Sequence, residues 1–239
     1  MEIHDQALEI INSFSAVSEK LILKEDELVA KSPSTDIVGR FVPAKGEIEI
    51  DKEVGIESKQ FLSILNLFDA YKLQQKDDMV TVLGSKQKIQ YMTLYTEQLP
   101  TYNPKGEELF DSVEETSLSF TLDDATIVET LKKHASTIGA DVVKLKAVKK
   151  KAFIVLSNTT TGTTSEIQLE DCIIGHDFEI TLTETGNKPF FTVLYEGTYS
   201  VVVKKADIKG NTIYLTKLSH SELANKKDGV LYYFIKSTD

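Results

Sequence analysis

Residues 7–31 read Ala7-Leu8-Glu9-Ile10-Ile11-Asn12-Ser13-Phe14-Ser15-Ala16-Val17-Ser18-Glu19-Lys20-Leu21-Ile22-Leu23-Lys24-Glu25-Asp26-Glu27-Leu28-Val29-Ala30-Lys31, and two periods meet in them. Ala7, Leu8, Ile11 and Phe14 fall on one face of a helix, with Ile10 and Val17 alongside. After Val17 the period changes: Lys20 to Lys24 and Glu27 to Lys31 read as strands on either side of the polar turn Glu25-Asp26. The unit is a helix followed by a tight strand pair.

That unit returns three times, at a spacing of roughly 50 to 65 residues. Phe61, Ile64, Leu65 and Phe68 mark a second helix. A third opens at Asp123-Asp124, good capping chemistry, and aligns Ile127, Val128, Leu131 and Ala135. A short fourth opens with Asn187 and Pro189, carries Phe190, Val193 and Leu194, and stops at Gly197. The matching turns are Lys76-Asp77-Asp78, Lys149-Lys150 and Lys209-Gly210-Asn211, between strands that include Met79 to Leu83, Ala152 to Leu156, Tyr199 to Val203 and Val230 to Ile235. Alternation is clearest for Ile89, Tyr91, Thr93 and Tyr95, and for Leu118, Phe120 and Leu122, as in sheets with one buried face.

The fold class is therefore α+β, with two similar domains, 1–96 and 116–239, of two helix-plus-strands repeats each. Between them 97–115 contains Pro100, Pro104, Gly106 and a set of acids, shows no sustained period, and reads as a linker. Spacing alone leaves open an unrelated α+β fold without true repeats.

Composition narrows the function. With 41% hydrophobic and 27% charged residues the chain is of ordinary globular type, and no apolar run approaches the roughly 18 residues of a membrane span. No membrane partner is expected. The acidic start Met1-Glu2-Ile3-His4-Asp5 carries no secretory signal, and a single cysteine, Cys172, fits a reducing compartment, so a cytoplasmic location is expected. The net charge of -10 lies wholly in the first half: residues 1–115 hold 12 basic and 22 acidic residues, and residues 116–239 hold 15 of each. Arg40 is the lone arginine among 27 basic residues. Guanine is mostly read by arginine, so any contact with DNA is expected to ignore sequence.

Catalysis is not expected. His4, His134, His176 and His220 are scattered, and Cys172 lies near Gly175-His176 without a metal-ligand series. Neither a Walker loop nor a Gly-X-Ser-X-Gly elbow occurs, and Asp77-Asp78 and Asp123-Asp124 suit a turn and a helix cap. No cofactor or metal is anticipated.

Three stretches resemble the sliding clamp of T-even-like tailed bacteriophages. Ala7 to Phe14 followed by Leu21 to Lys24, and Gln60-Phe61-Leu62-Ser63-Ile64-Leu65-Asn66-Leu67, are similar to its first and second helices. Glu196-Gly197-Thr198-Tyr199-Ser200-Val201-Val202-Val203 is similar to its closing helix, Gly-X-Tyr and apolar strand. The resemblance lies in order and spacing across nearly the whole chain. It implies the DNA clamp fold, a homotrimeric ring of six similar domains with helices lining the hole and sheets outside. It also implies a non-catalytic processivity factor in the host cytoplasm, with duplex DNA, DNA polymerase and a clamp loader as partners.

For that function the DNA-facing candidates are Lys20, Lys59, Lys132, Lys133, His134 and Lys188, on or beside the helices. Each would equally serve as a solvated helix residue. The first helix departs from expectation, since it has no basic group between His4 and Lys20. By the family's topology the subunit interface joins the strand carrying Ile89, Tyr91, Thr93 and Tyr95 to the one carrying Ser165, Ile167 and Leu169. Leu99 and Tyr102 are candidates for a partner-peptide groove. Lys144, Lys146, Lys149, Lys150 and Lys151 form the densest basic run, better explained as a solvated hairpin than as a DNA contact. A β-rich interaction scaffold and a sequence-independent single-strand DNA binder are the alternatives; the absence of tryptophan weakens the second.

Overall fold

The computed structural model describes residues 1–33, 36–99, 101, 103–182, 191, 194–208, 210–223 and 230–238, with backbone alone at 128, 230, 232, 234 and 238. The first half contains β1 (Glu2–Ile3), α1 (Asp5–Phe14), β2 (Lys20–Leu23), β3 (Leu28–Lys31), β4 (Ile37–Val42), β5 (Ile48–Glu49), β6 (Val54–Glu57), α2 (Ser58–Leu65), β7 (Lys72–Lys76), β8 (Met79–Leu83) and β9 (Lys88–Met92). A 3-10 turn, Thr96–Gln98, and α3 (Lys105–Ser112) follow. The second half contains β10 (Thr116–Leu122), a π-type turn Thr126–Lys132 running into α4 (Lys133–Ile138), and then β11 (Val142–Val148), β12 (Lys151–Ser157), β13 (Thr164–Leu169), β14 (Ile173–Ile174), β15 (Phe178–Leu182), β16 (Tyr199–Ile208), β17 (Asn211–His220) and β18 (Val230–Thr238). Most of the expected fourth helix, residues 187–190, 192 and 193, lies outside the described residues.

The helices form where the apolar stripes predict them. Ala7, Ile10, Ile11 and Phe14 are buried along α1, Phe61 and Leu65 along α2, and Ile127, Leu131 and Ala135 along the third helix. The Asp123 carboxylate accepts the Thr126 N–H at 2.6 Å, capping that helix and lowering its own pKa. Gly139, at φ 61°, ends it in the left-handed conformation, and Asn158 Nδ2 donates to the freed carbonyls of Ile138 and Gly139. The expected linker differs from its reading: α3 forms within it. Its apolar signal is too short for periodicity to reveal, because Phe110 is its buried residue and Leu109 is only partly covered.

All strand pairs are antiparallel. One sheet runs β14-β10-β16-β17-β18-β4-β3-β2-β6, a second β13-β12-β11-β15, a third β7-β8-β9, and β1 pairs with β5. The nine-stranded sheet takes strands from both halves of the chain. Its seam is β18 against β4, from Val230 opposite Val42 to Ile235 opposite Ile37. Gly39 sits opposite Tyr233 in that register, and a Cβ there would lie 2.8 Å from the Phe14 ring. Phe14 and Tyr233 meet edge to face with centroids 5.7 Å apart, and the Tyr233 hydroxyl lies 2.7 Å from Ser13 Oγ. Helix α1 is thereby bolted to a strand from the far half, and burial pushes the Tyr233 phenol well up.

The β11–β12 hairpin turns through Lys149 and Lys150, both left-handed at φ 49° and 63°. Lysine does not suit that conformation, whereas asparagine and glycine adopt it readily. The double substitution K149N/K150G is expected to raise stability by about 1–2 kcal/mol. The check is a higher urea midpoint with an unchanged slope.

Candidate functional site

Two sheets leave strand edges whose backbone groups face outward. In the three-stranded sheet Thr93 N–H donates to Asp78 O and Gly84 N–H to Gln87 O, which fixes the alternation along β9. Ile89 and Tyr91 spend their N–H groups on β8, while those of Lys88, Gln90 and Met92 point to the open edge. In the four-stranded sheet Asn158 N–H donates to Thr163 O. By the same alternation the N–H groups of Thr164, Glu166 and Gln168 point away from β12.

The two edges match. On β9 the inward side chains are Tyr91, buried against Phe61 with centroids 5.6 Å apart, and Ile89, packed on the core. On β13 the inward ones are Ile167 and Leu169, with Ser165 in the same alternation. Inward-facing residues therefore stand opposite inward-facing residues if the strands pair antiparallel, just as Leu231, Tyr233 and Ile235 stand opposite Phe41, Gly39 and Ile37 at the seam. Burial raises the Tyr91 phenol, whose oxygen accepts the Glu57 N–H at 2.6 Å and ties β9 to the start of α2. Thr93 and Tyr95 lie beyond β9, because Leu94 leaves it to bridge Gly55 on β6. Tyr95 is 73% exposed rather than on the buried face, and Met92 is 79% exposed on the edge itself.

Of the basic candidates Lys59 lies on α2, Lys132, Lys133 and His134 on the π-type turn and α4, and Lys20 at the start of β2. Lys20, Lys59, Lys133 and His134 are exposed and Lys132 is half-buried; Lys188 lies outside the described residues. His134 Nδ1 lies 2.8 Å from Ser165 Oγ, which ties it to β13. The exposed face of α1 presents Asp5, Glu9 and Asn12. In the basic hairpin Lys144 Nζ donates to Glu179 at 2.8 Å, holding that carboxyl below the usual range, and Lys146 approaches Glu166 at 4.0 Å. Part of that run is thus engaged by acids of its own sheet.

Of the two groove candidates one can be placed. Leu99 packs over Gly55, whose Cβ would lie 2.8 Å from Leu99 Cδ1, and Tyr102 lies outside the described residues. The apolar feature of the linker is instead under α3. Phe110 packs with Ala206, Ile213 and Leu215 on the outer face of the nine-stranded sheet. Lys204 Nζ donates to Phe110 O at 3.0 Å and stands 4.5 Å from its ring centre, while Lys217 Nζ donates to Glu107 at 3.1 Å. Arg40 donates to Glu27 at 2.6 Å and approaches Glu107 at 4.0 Å. Sequence reasoning missed this cluster, although a signal existed: Val201, Val202 and Val203 are apolar in succession, as in a strand covered on both faces.

Among the described residues no three or more His, Cys, Asp or Glu side chains are placed to share a metal. His220 is buried, accepting the Leu223 N–H at Nδ1 while Nε2 lies 2.8 Å from Glu196 O.

The structure aligns with a PCNA2–PCNA3 complex from Sulfolobus tokodaii over 96% of this chain and 94% of that one, with a TM-score of 0.64 at 15% identity. It also aligns with the Helicobacter pylori beta clamp over 98% of this chain and 63% of that one, with a TM-score of 0.58 at 16% identity. The chain has the DNA sliding-clamp fold. A third clamp-fold structure, PCNA from Thermococcus kodakaraensis, matches over 97% of this chain and 96% of that one, with a TM-score of 0.58 at 12% identity. No protein-family model and no curated protein matches the sequence. Among the described residues no helix is long and apolar enough to cross a membrane.

Proposed function

We propose that this chain is a sliding clamp: one subunit of a closed homotrimeric ring that encircles duplex DNA and holds a DNA polymerase on it without catalysing a reaction. The observation that carries the proposal is the agreement of side-chain face and N–H direction between β9 and β13. Joining β9 of one copy to β13 of the next is a head-to-tail contact, which either closes a ring or runs on as a filament. The β18–β4 seam supports closure, since it joins the same two kinds of strand within one chain. Three copies of two domains give a six-domain ring. The T-even-like resemblance of the sequence supports a phage replication clamp, opened by a loader in the host cytoplasm.

Light scattering across a concentration series tests the assembly. A species of about 80 kDa, three chains of 26.7 kDa, is expected; a strict monomer at high concentration would remove the ring. Retention on closed circular DNA, with release on linearisation, tests encirclement. K132E/K133E, which reverses two helix charges, is expected to shorten residence on DNA about tenfold and to flatten its salt dependence. Unchanged residence at low salt would take both lysines out of the lining.

The acidic exposed face of α1 favours a second reading, a ring-forming interaction scaffold that does not hold DNA. Retention on circular DNA separates the two.

A further inference from the structure

Three of the chain's three-stranded units carry a fourth strand on their first. β15 lies on β11 of β11-β12-β13, β10 on β16 of β16-β17-β18, and β6 on β2 of β2-β3-β4. The remaining unit, β7-β8-β9, lacks its counterpart: among the described residues β1 pairs only with β5. A cleft of about 580 Å³ lies where the missing pairing would run, lined by Met1 to Asp5 on one side and Ala70 to Leu73 on the other.

The two sides are matched for pairing. His4 N–H donates to Glu47 O, so along β1 Glu2 and His4 turn their N–H groups to β5 and Ile3 turns its own away. Lys72 and Gln74 turn theirs to β8, opposite Leu83 and Thr81, which leaves those of Leu73 and, by the same alternation, Tyr71 on the cleft side. The second half of the chain shows the same edges joined. Gly175 N–H donates to Ser117 O, so Phe120 and Leu122 turn their N–H groups to β16, where they stand opposite Val201 and Tyr199. Ile3 and Leu122 are each the last buried residue before a helix, and Tyr71 and Tyr199 each lead the strand after the next one. By that equivalence Ile3 would stand opposite Tyr71, Glu2 opposite Lys72 and Met1 opposite Leu73.

The unjoined sheet is also the one that carries β9, so it has an open edge on either side. Leu73, Val80, Val82 and Tyr91 seat it on the core, and its polar ties to the body include the Tyr91 hydroxyl accepting Glu57 N–H and Gln75 Nε2 donating to Lys52 O.

We propose that β1 and β7 form a latch. Joined, they complete the fourth sheet and set Glu2, which here lies 3.8 Å from His4, against Lys72. Parted, as in this structure, they let β7-β8-β9 shift on its apolar face and carry the β9 edge with it. The latch itself needs no second copy, whereas its effect on subunit exchange rests on the ring reading.

Cysteines at positions 2 and 72, in a chain with Cys172→Ser, test it. Opposed residues that do not hydrogen-bond to each other come to about 4.5 Å between Cα atoms when antiparallel strands join, which a disulfide can span. Under oxidised glutathione Glu2→Cys/Lys72→Cys is expected to crosslink within one chain at least about tenfold faster than Glu2→Cys/Lys76→Cys, whose second site lies on the same face four residues along. Equal rates, or no crosslinking of a chain that circular dichroism shows to be folded, would overturn the proposal. The crosslink is also expected to slow amide hydrogen exchange across β7 to β9 about tenfold relative to the reduced chain. Unchanged exchange would mean that joining the strands does not steady the sheet, and would overturn the proposal as well. Exchange of labelled subunits between rings should slow in parallel. A chain that stays monomeric would count against the ring, while crosslinking and amide exchange still decide on the latch.

Discussion

With proline in place of Gln90, the protein is expected to run as a single 26.7 kDa chain at concentrations where the unsubstituted chain runs as a trimer. Gln90 N–H points to the open edge of β9, so proline removes a donor that the proposed interface uses while sparing those of Ile89 and Tyr91, which bond to β8. Glu166→Pro should act alike on β13. The mixture is the sharper test. A Gln90→Pro chain keeps a working β13 edge, and a Glu166→Pro chain keeps a working β9 edge. Together they should form a one-to-one dimer and nothing larger, because each then offers only one half of a head-to-tail contact. Trimers of either variant, or a mixture that stays monomeric, would show that these edges do not join the subunits.

Gly197→Ala is expected to cost roughly 3–5 kcal/mol of stability. Gly197 lies at φ 129°, a conformation that L side chains rarely adopt, and a Cβ there would stand 2.0 Å from His220 Nε2. His220 has nowhere to go. It is 2% exposed, accepts the Leu223 N–H, lies 2.8 Å from Glu196 O, and meets the Tyr199 ring edge to face at 5.1 Å. Displacing the ring leaves buried polar groups without partners. Urea unfolding measures the loss, and a change under about 1 kcal/mol would mean that the turn relaxes freely. Adding His220→Ala to Gly197→Ala should recover part of the loss, since the two substitutions share one volume.

Much of the fold was legible because its signals are local. Ala7, Ile10, Ile11 and Phe14 mark α1 by spacing, and Val143, Leu145 and Ala147 are buried in strict alternation along β11. The β18–β4 seam is not a local property. Nothing near Val230 announces that its partner is Val42, and Gly39 looks like any strand glycine until Phe14 and Tyr233 are seen crowding it. The site was legible unevenly for the same reason. The two edge strands follow from alternation and family topology, whereas the end of β9 at Met92 depends on Leu94 reaching Gly55, far away in sequence. The cluster under α3 was hidden because Glu107, Arg40, Lys204 and Lys217 come from separate segments and the helix between them is short and polar.

The β18–β4 seam also bears on how the protein is made. At roughly 5–20 residues added per second, β4 leaves the ribosome on the order of ten seconds or more before β18 exists. Throughout that interval the edge of β4 and the aromatic face of Phe14 have no partner. The edge left open is of the kind that β9 is proposed to seek on a neighbouring copy. A nascent chain on a crowded polysome thus offers finished neighbours a decoy docking edge, and slow translation between the two strands should favour tangled, domain-swapped aggregates over rings.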